Sequence, residues 1–303
     1  MHVGLSEDQR AILDALDTLA RPYEEAPVHD APLVASSEAF AAQLAEAGFL
    51  EVAADPDLGT ATAAVVVERL ARLPFAVEAG ARAFFGPVIG EGPAPVCLVE
   101  GTRTPRLVRH LAPGARVIVV EDERVTCFTA TEAQLRSEHE SLFAYPMASL
   151  LELPAQREPL AITVSEARTR WRAAIAAEAA GLLAAALAST CAHLSEREQF
   201  GRKLATFQAL RHRLAEAQVR TNGVYWMAMK AAATLDPGDA ALAAWHAQES
   251  ARASVYDFHQ FLGAMGMTLE HPLHFWTYRL KALIGELGGR GANARAAADA
   301  LWG

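Results

Sequence analysis

Cysteine is scarce: the 303-residue chain has three, Cys97, Cys127 and Cys191. None forms a C-x-x-C, and no Cys/His pair stands at metal-ligand spacing. That excludes a disulfide-stapled scaffold and predicts buried free thiols in a reducing compartment. Aromatic residues are few, at 7%. The longest near-apolar stretch, Ala173 to Ala188, is interrupted by Glu178. It reads as a buried alanine-rich helix rather than a membrane span. The opening MHVGLSEDQR has no apolar signal core, so the sequence places the protein in the cytoplasm. Positive charge is also in short supply. Residues 1–165 carry 12 Lys+Arg against 24 Asp+Glu, and residues 166–303 carry 15 against 12. A net charge of −9 without a basic stripe argues against nucleic acid as a partner.

What is present is alanine. Hydrophobic residues make up 52% of the chain, and 65 of the 303 residues are alanine. Much of the apolar content is therefore small and helix-forming. Three textures follow one another, which predicts a mainly α architecture with a small inserted β domain. Residues 1–86 read as an N-terminal helical domain: a stripe of Leu5, Ile12, Leu13, Leu16 and Leu19 behind a Ser6 N-cap, then Ser37–Gly48, then Thr60–Arg72. Residues 87–165 read as a reduced, mostly antiparallel β domain, with Pro and Gly between the short runs Val96–Val99, Leu107–Leu111, Val117–Val120, Val125–Thr129 and Leu150–Leu153. Residues 166–303 read as an antiparallel four-helix bundle, with helices near 166–195, 205–234, 239–264 and 272–287. Asp239 is the expected cap after the Asp236-Pro237-Gly238 break. Gly288-Gly289-Arg290-Gly291 is expected to break the chain before a last short helix.

One constellation is far more specific than the rest. Arg197-Glu198-Gln199-Phe200-Gly201 is followed by Phe207-Gln208 and by His212-Arg213-Leu214-Ala215-Glu216. Downstream comes Gln260-Phe261-Leu262-Gly263-Ala264-Met265-Gly266, running on as Thr268-Leu269-Glu270-His271-Pro272-Leu273-His274. The chain resembles the acyl-CoA dehydrogenase family, whose R-x-Q-F-G, F-Q, H-x-L-A-[DE] and Q-x-x-G-G-x-G elements these match. More narrowly, it is similar to the short subunits of bacterial heteromers that act on CoA thioesters of steroid side chains. The likeness is strong over 166–282 and thin over 87–165.

The resemblance implies an α–β–α fold, FAD as cofactor and a tetramer built on the C-terminal bundle. It implies that Arg197, Phe200, Gln260 and Gly263 contact the diphosphate and AMP half of an FAD held across a subunit interface. An arginine offers a bidentate fork to a diphosphate, and a glycine admits close backbone approach. Read alone, an arginine at a helix end also neutralises carbonyls, and a glycine between helices also ends one. Ala264 stands where the family has its second glycine, and Leu262 where histidine is common.

The family's catalytic carboxylate, which removes a proton from an acyl-CoA thioester, has two usual positions. Here they fall near Trp171 and near Gly288, neither of which can act as a base. The flavin-gripping segments of the β domain are missing; the nearest stretch, Phe128-Thr129-Ala130-Thr131-Glu132, lacks the Gly-Ser-Asp continuation. Glu178 and Glu286 remain as weak candidates for the base. Glu178 is expected to be paired with an arginine of a neighbouring helix, and Glu270 to be a cap or interface group. His212 and Glu216 do not make a metal site, because the required Glu-x-x-His pair does not recur. The sequence therefore predicts a subunit that completes the FAD site of a full-length acyl-CoA dehydrogenase partner, with an acyl-CoA as substrate. Two other readings stay open: a self-sufficient homo-oligomer using Glu178 or Glu286, and a scaffold without flavin.

Overall fold

A computed structural model describes residues 4–27, 33–90, 92, 94–101 and 106–303. Met1–Val3 of the opening segment lie outside the described residues. The N-terminal part comprises α1 (Glu7–Ala20), α2 (Glu38–Glu46), α3 (Gly59–Ala71) and α4 (Gly80–Ile89). Ser6 caps α1 in a reciprocal box with Gln9, at 3.1 and 3.0 Å, which satisfies two otherwise orphaned amides. Helix α4 has no counterpart in the sequence reading, and the expected boundary at 86 falls inside it.

The middle part builds two small sheets. One runs β1 (Val96–Glu100), β3 (Arg116–Val120), β4 (Val125–Thr129) and β7 (Glu158–Pro159) in the order β1-β3-β4-β7. The other runs β2 (Val108–Arg109), β6 (Met147–Leu150) and β5 (Leu135–Ser137) in the order β2-β6-β5. Among the described residues only the β1–β3 pairing is parallel. Successive strand residues point to opposite faces, and here both faces are covered. Val96, Ile118, Val120, Val125 and Cys127 join the core shared with the helices. Cys97, Val117, Val119 and Phe128 face a separate cluster with Val108 and Leu150. The run expected over Leu107–Leu111 shortens to Val108–Arg109, because Leu107 and His110 both take left-handed backbone at φ 58°. The run expected at Leu150–Leu153 meets its strand only at Leu150, and Thr131 caps a 3₁₀ turn after β4.

The C-terminal part begins with α5 (Val164–Glu196), capped by Thr163. A short hairpin, β8 (Glu198–Gln199) and β9 (Arg202–Lys203), precedes α6 (Gln208–Thr234), α7 (Pro237–Leu262), α8 (Leu273–Ile284) and α9 (Gly289–Trp302). Asp236, not Asp239, caps α7, its carboxylate accepting from the Asp239 amide at 2.9 Å. Helix α9 starts inside the glycine stretch expected to be a breaker, and it packs along α7 as a fifth member of the bundle.

Helix α5 is the axis. It packs against α3, α4, α6, α7 and α8. It is long and apolar enough to span a bilayer, yet 72% of its most apolar window is buried within the fold. Small residues let its neighbours approach. A Cβ on Gly181 would stand 2.1 Å from the Glu68 carbonyl oxygen and 2.8 Å from the Ala71 Cβ. At α8, the guanidinium of the fully buried Arg279 donates to the carbonyls of Leu73 (2.9 Å), Pro74 (2.6 Å) and Phe75 (3.1 Å). Trp276 Nε1 donates to the Arg72 carbonyl at 2.9 Å. The turn after α3 is thus fixed by the opposite end of the chain.

Because backbone cannot yield cheaply at the α3–α5 crossing, Gly181→Ala should lower unfolding free energy by roughly 1–3 kcal/mol in urea titration. Gly285→Ala, where the nearest atom to the new Cβ is 3.9 Å away, should stay within about 0.5 kcal/mol of wild type.

Candidate functional site

Two regions carry chemistry-bearing side chains, one facing inward and one facing outward. The inward region is a cavity of about 410 Å³ between the β domain and the bundle. Trp171 from α5 and Gly288 from the turn before α9 both line it, so the two positions where the sequence reading looked for a base meet here. Glu178 and Glu286 line it as well.

Neither carboxylate is free. Arg109, on β2, reaches into the cavity and bridges both. Its Nη1 lies 3.0 and 3.1 Å from the two oxygens of Glu178, and its Nε lies 2.5 Å from Glu286 Oε1. Tyr145 Oη donates to Glu178 at 2.6 Å, and Trp171 Nε1 donates to Glu286 at 2.6 Å. The arginine also stands 4.8 Å from the Tyr145 ring centroid, a cation–π distance. The partner of Glu178 therefore comes from a strand, not from the neighbouring helix that the sequence suggested. Burial opposes the charge on Arg109, but Glu178 and Glu286 outweigh it and raise its pKa well above the ordinary value.

The remainder of the lining sets the electrostatics. Glu286 opens a 3₁₀ turn in which Leu287 is left-handed at φ 52°. The turn is held by buried Gln248, whose Nε2 donates to the carbonyls of Leu283 (2.9 Å) and Glu286 (3.0 Å). Asn293 donates in turn to Gln248 Oε1 at 3.0 Å. Burial pushes Glu78 up to about 7, against the lowering effect of the Val96 and Arg82 amides that donate to it. Burial, then the nearby Arg109 and Arg279, push His110 down to about 3 and leave it neutral. Glu270 is exposed before α8 and does not line this cavity.

The outward region is assembled at one end of the bundle. Arg197 follows α5 directly, and its amide donates to the His193 carbonyl at 2.9 Å. The β8–β9 hairpin turns on Phe200 (φ 57°) and Gly201 (φ 74°), the two positive φ angles of a two-residue hairpin loop. A left-handed phenylalanine is strained by about 1–3 kcal/mol, yet Phe200 is 87% exposed. Phe207 supports it edge-on at 6.0 Å, and Arg202 lies 4.0 Å from the Phe207 centroid. His193 packs edge-on to His271 at 5.3 Å, which draws the α5 terminus toward the loop after α7. There Gln260 is exposed on the last turn of α7, and Gly263 takes φ 59°, ψ −131°, a region essentially closed to other residues. Both line a groove of about 660 Å³ with Arg252, Tyr256, His259 and Lys281. Among the described residues, no ion pair or side-chain hydrogen bond engages Arg197, and no side-chain hydrogen bond engages Gln260. Ala264 is exposed at the same turn, and Leu262 is committed to the core.

The four cofactor-contact candidates, Arg197, Phe200, Gln260 and Gly263, thus lie on the outer surface at the bundle end. The two base candidates, Glu178 and Glu286, lie together inside. Arg109, Tyr145 and Gln248 were not singled out by sequence. Arg109 sits in a two-residue strand with no motif around it, so no local signal points to its role.

A fork holding two part-buried carboxylates is expensive to lose. Arg109→Met should lower unfolding free energy by about 3–5 kcal/mol, because it leaves two uncompensated charges. Adding Glu178→Gln and Glu286→Gln should recover part of that in the same urea titrations. For Glu78 the folded state holds its proton more tightly than the unfolded chain does. The stabilisation is fully present below the ordinary value of 4.5 and is lost as pH rises through about 7. Wild type should therefore lose up to roughly 3 kcal/mol relative to Glu78→Gln between pH 4.5 and 8, measured by unfolding at each pH.

Residues 163–295 match the family model described as acyl-CoA dehydrogenase, C-terminal domain. A curated relative, acyl-CoA dehydrogenase FadE34 of Mycobacterium tuberculosis, is 32% identical over 214 residues, covering 68% of this chain and 27% of the relative. The chain spans less than two thirds of the length of the curated relatives it matches first. Among solved structures, the ChsE4–ChsE5 complex from Mycobacterium tuberculosis superposes with a TM-score of 0.79 at 20% identity, with 97% of both chains covered. The Tcur3481–Tcur3483 steroid ACAD gives 0.77 at 23%, again with 97% of both chains covered. These two share the α–β–α fold described above. With the family model placed on the very helices that carry Arg197 and Gln260, and the whole fold matching, the chain belongs to the acyl-CoA dehydrogenase family.

Proposed function

We propose that this chain is a subunit of an FAD-dependent acyl-CoA dehydrogenase and that it completes the FAD site of a full-length partner subunit. The observation that carries the reading is the division between the two regions. The inward cavity has Trp171 and Gly288 at the base positions, and Arg109 ties up both base candidates, Glu178 and Glu286. The outward residues are exposed and their turns preformed, and among the described residues no side-chain hydrogen bond engages Arg197 or Gln260.

Those residues fit the group. Gly263 leaves open space where a Cβ would stand, so a ligand can lie against the backbone. Arg197 supplies two parallel N–H groups for a diphosphate. The Phe200 ring is held outward by its hairpin and offers a face for packing. The Gln260 amide can both donate and accept toward the ribose and phosphate oxygens. When bound, FAD supplies the hydride acceptor for dehydrogenation of an acyl-CoA between its α and β carbons. The partner supplies the carboxylate base, missing here at Trp171 and Gly288, and the grip on the flavin ring, missing from this chain's own β domain. The steroid ACAD among the structural neighbours favours the CoA thioester of a steroid side chain as the complex's substrate. Cys97, Cys127 and Cys191 are all free thiols, which suits a cytoplasmic setting.

The test begins with purification of the chain alone and then co-expressed with a full-length acyl-CoA dehydrogenase from the same genome. A colourless lone chain that joins a yellow complex is the expected result. In that complex Arg197→Ala should weaken flavin retention by about 10- to 100-fold, the value of a charge-assisted hydrogen-bonded pair. A yellow lone chain bleached by an acyl-CoA would overturn the reading in favour of Glu178 or Glu286 as base. An unchanged flavin content in Arg197→Ala would point instead to a scaffold.

A further inference from the structure

The turn that presents Gly263 is not held by its own backbone alone. Residues Gly263–Met267 form a 3₁₀ turn after α7. It folds back so closely that a Cβ on Gly266 would stand 2.7 Å from the His259 carbonyl oxygen. The His259 side chain, one residue before Gln260, closes the loop. Its Nδ1 lies 2.5 Å from the Gly266 carbonyl oxygen, and its Nε2 lies 3.0 Å from Thr277 Oγ1 on α8. The ring also stacks on Tyr278 at 6.0 Å and 14° between planes.

Donor arithmetic fixes this imidazole. A carbonyl only accepts, so Nδ1 carries a proton. Burial lowers the His259 pKa, and the Gly266 carbonyl only partly offsets it, which favours the neutral ring with Nε2 as acceptor. The wholly buried Thr277 has one hydroxyl proton, which it donates to the Leu273 carbonyl at 3.0 Å and shares with Nε2 at 3.0 Å. One side chain thus joins α7, the glycine turn and α8, and it lines the groove beside Gln260 and Gly263.

We propose that His259 is a positioning residue of this half-site: it pins the Gly263–Met267 turn to α8 and thereby sets where the Gln260 amide and the Gly263 backbone meet a dinucleotide diphosphate. This rests on the function proposed above. It assigns the groove's geometry to a residue outside the two motifs' matched positions.

The test uses two readouts. In the lone chain, amide exchange at Gly266 and Thr268 should quicken about 5- to 10-fold in His259→Leu, the effect of losing one net hydrogen bond. His259→Asn keeps a side-chain N–H directed at the Gly266 carbonyl and should restore slow exchange. In the flavin-containing complex, His259→Leu should raise the flavin Kd by a similar factor and His259→Asn should return it toward wild type, a rescue that a general packing role would not give. Gln260→Ala is measured alongside. If Gln260→Ala releases flavin while His259→Leu binds it like wild type, the positioning role is overturned and the half-site survives. If Gln260→Ala also leaves flavin bound, the half-site falls and this proposal with it. Unchanged amide exchange in His259→Leu overturns the pin regardless of any partner.

Discussion

One cation set against two carboxylates organises this molecule. Arg109 leaves the β domain, crosses the domain boundary and meets Glu178 of α5 and Glu286 of the turn before α9. Each of the three groups would be costly to bury alone, and together they satisfy one another with Tyr145 and Trp171 closing the remaining valences. The same contact docks the small sheets on the bundle, holds the Glu286 turn in place and fills the polar demand of the inner cavity. In doing so it removes from service the two acids, Glu178 and Glu286, that the sequence offers as bases. A side chain that reads as structural therefore decides which region of the chain is left to act.

The outer region shows the opposite economy. There the fold tolerates strain and exposure instead of relieving them: a left-handed phenylalanine with its ring in solvent, a glycine in a conformation closed to other residues, an arginine without a partner among the described residues. Local cost that the chain itself does not use is a common mark of a surface shaped for something else. The neatness of the supports around it, Phe207 under Phe200 and His193 against His271, indicates that the exposure is built rather than incidental.

Much of this could be read from sequence, for identifiable reasons. Long helices with alanine on their inner faces declare themselves by periodicity, and the family resemblance of the two motifs nominates Arg197, Phe200, Gln260 and Gly263, which the fold gathers at one end of the bundle. Helix α4 was not legible, because Gly86 and Pro87 inside it look like a break. The start of α9 was misplaced because packing along α7 and the Asn293 contacts overrule three local glycines. Asp236 and Asp239 are equally good caps on paper, and only the backbone chooses between them. Arg109 was invisible because its partners lie 69 and 177 residues away, and no local pattern encodes so distant a meeting.

Distance along the chain has a further meaning at Arg279. The carbonyls of residues 72–75 accept their hydrogen bonds from Trp276 and Arg279, about two hundred positions later. During synthesis, the N-terminal helices emerge long before the groups that settle the turn between α3 and α4. Until α8 has been made, that turn has only water for its carbonyls, and the apolar faces of α3 and α4 wait for α5. The N-terminal segment is thus an early product that reaches its final form late, with a long interval in which its unfinished surface is exposed to other chains and to chaperones.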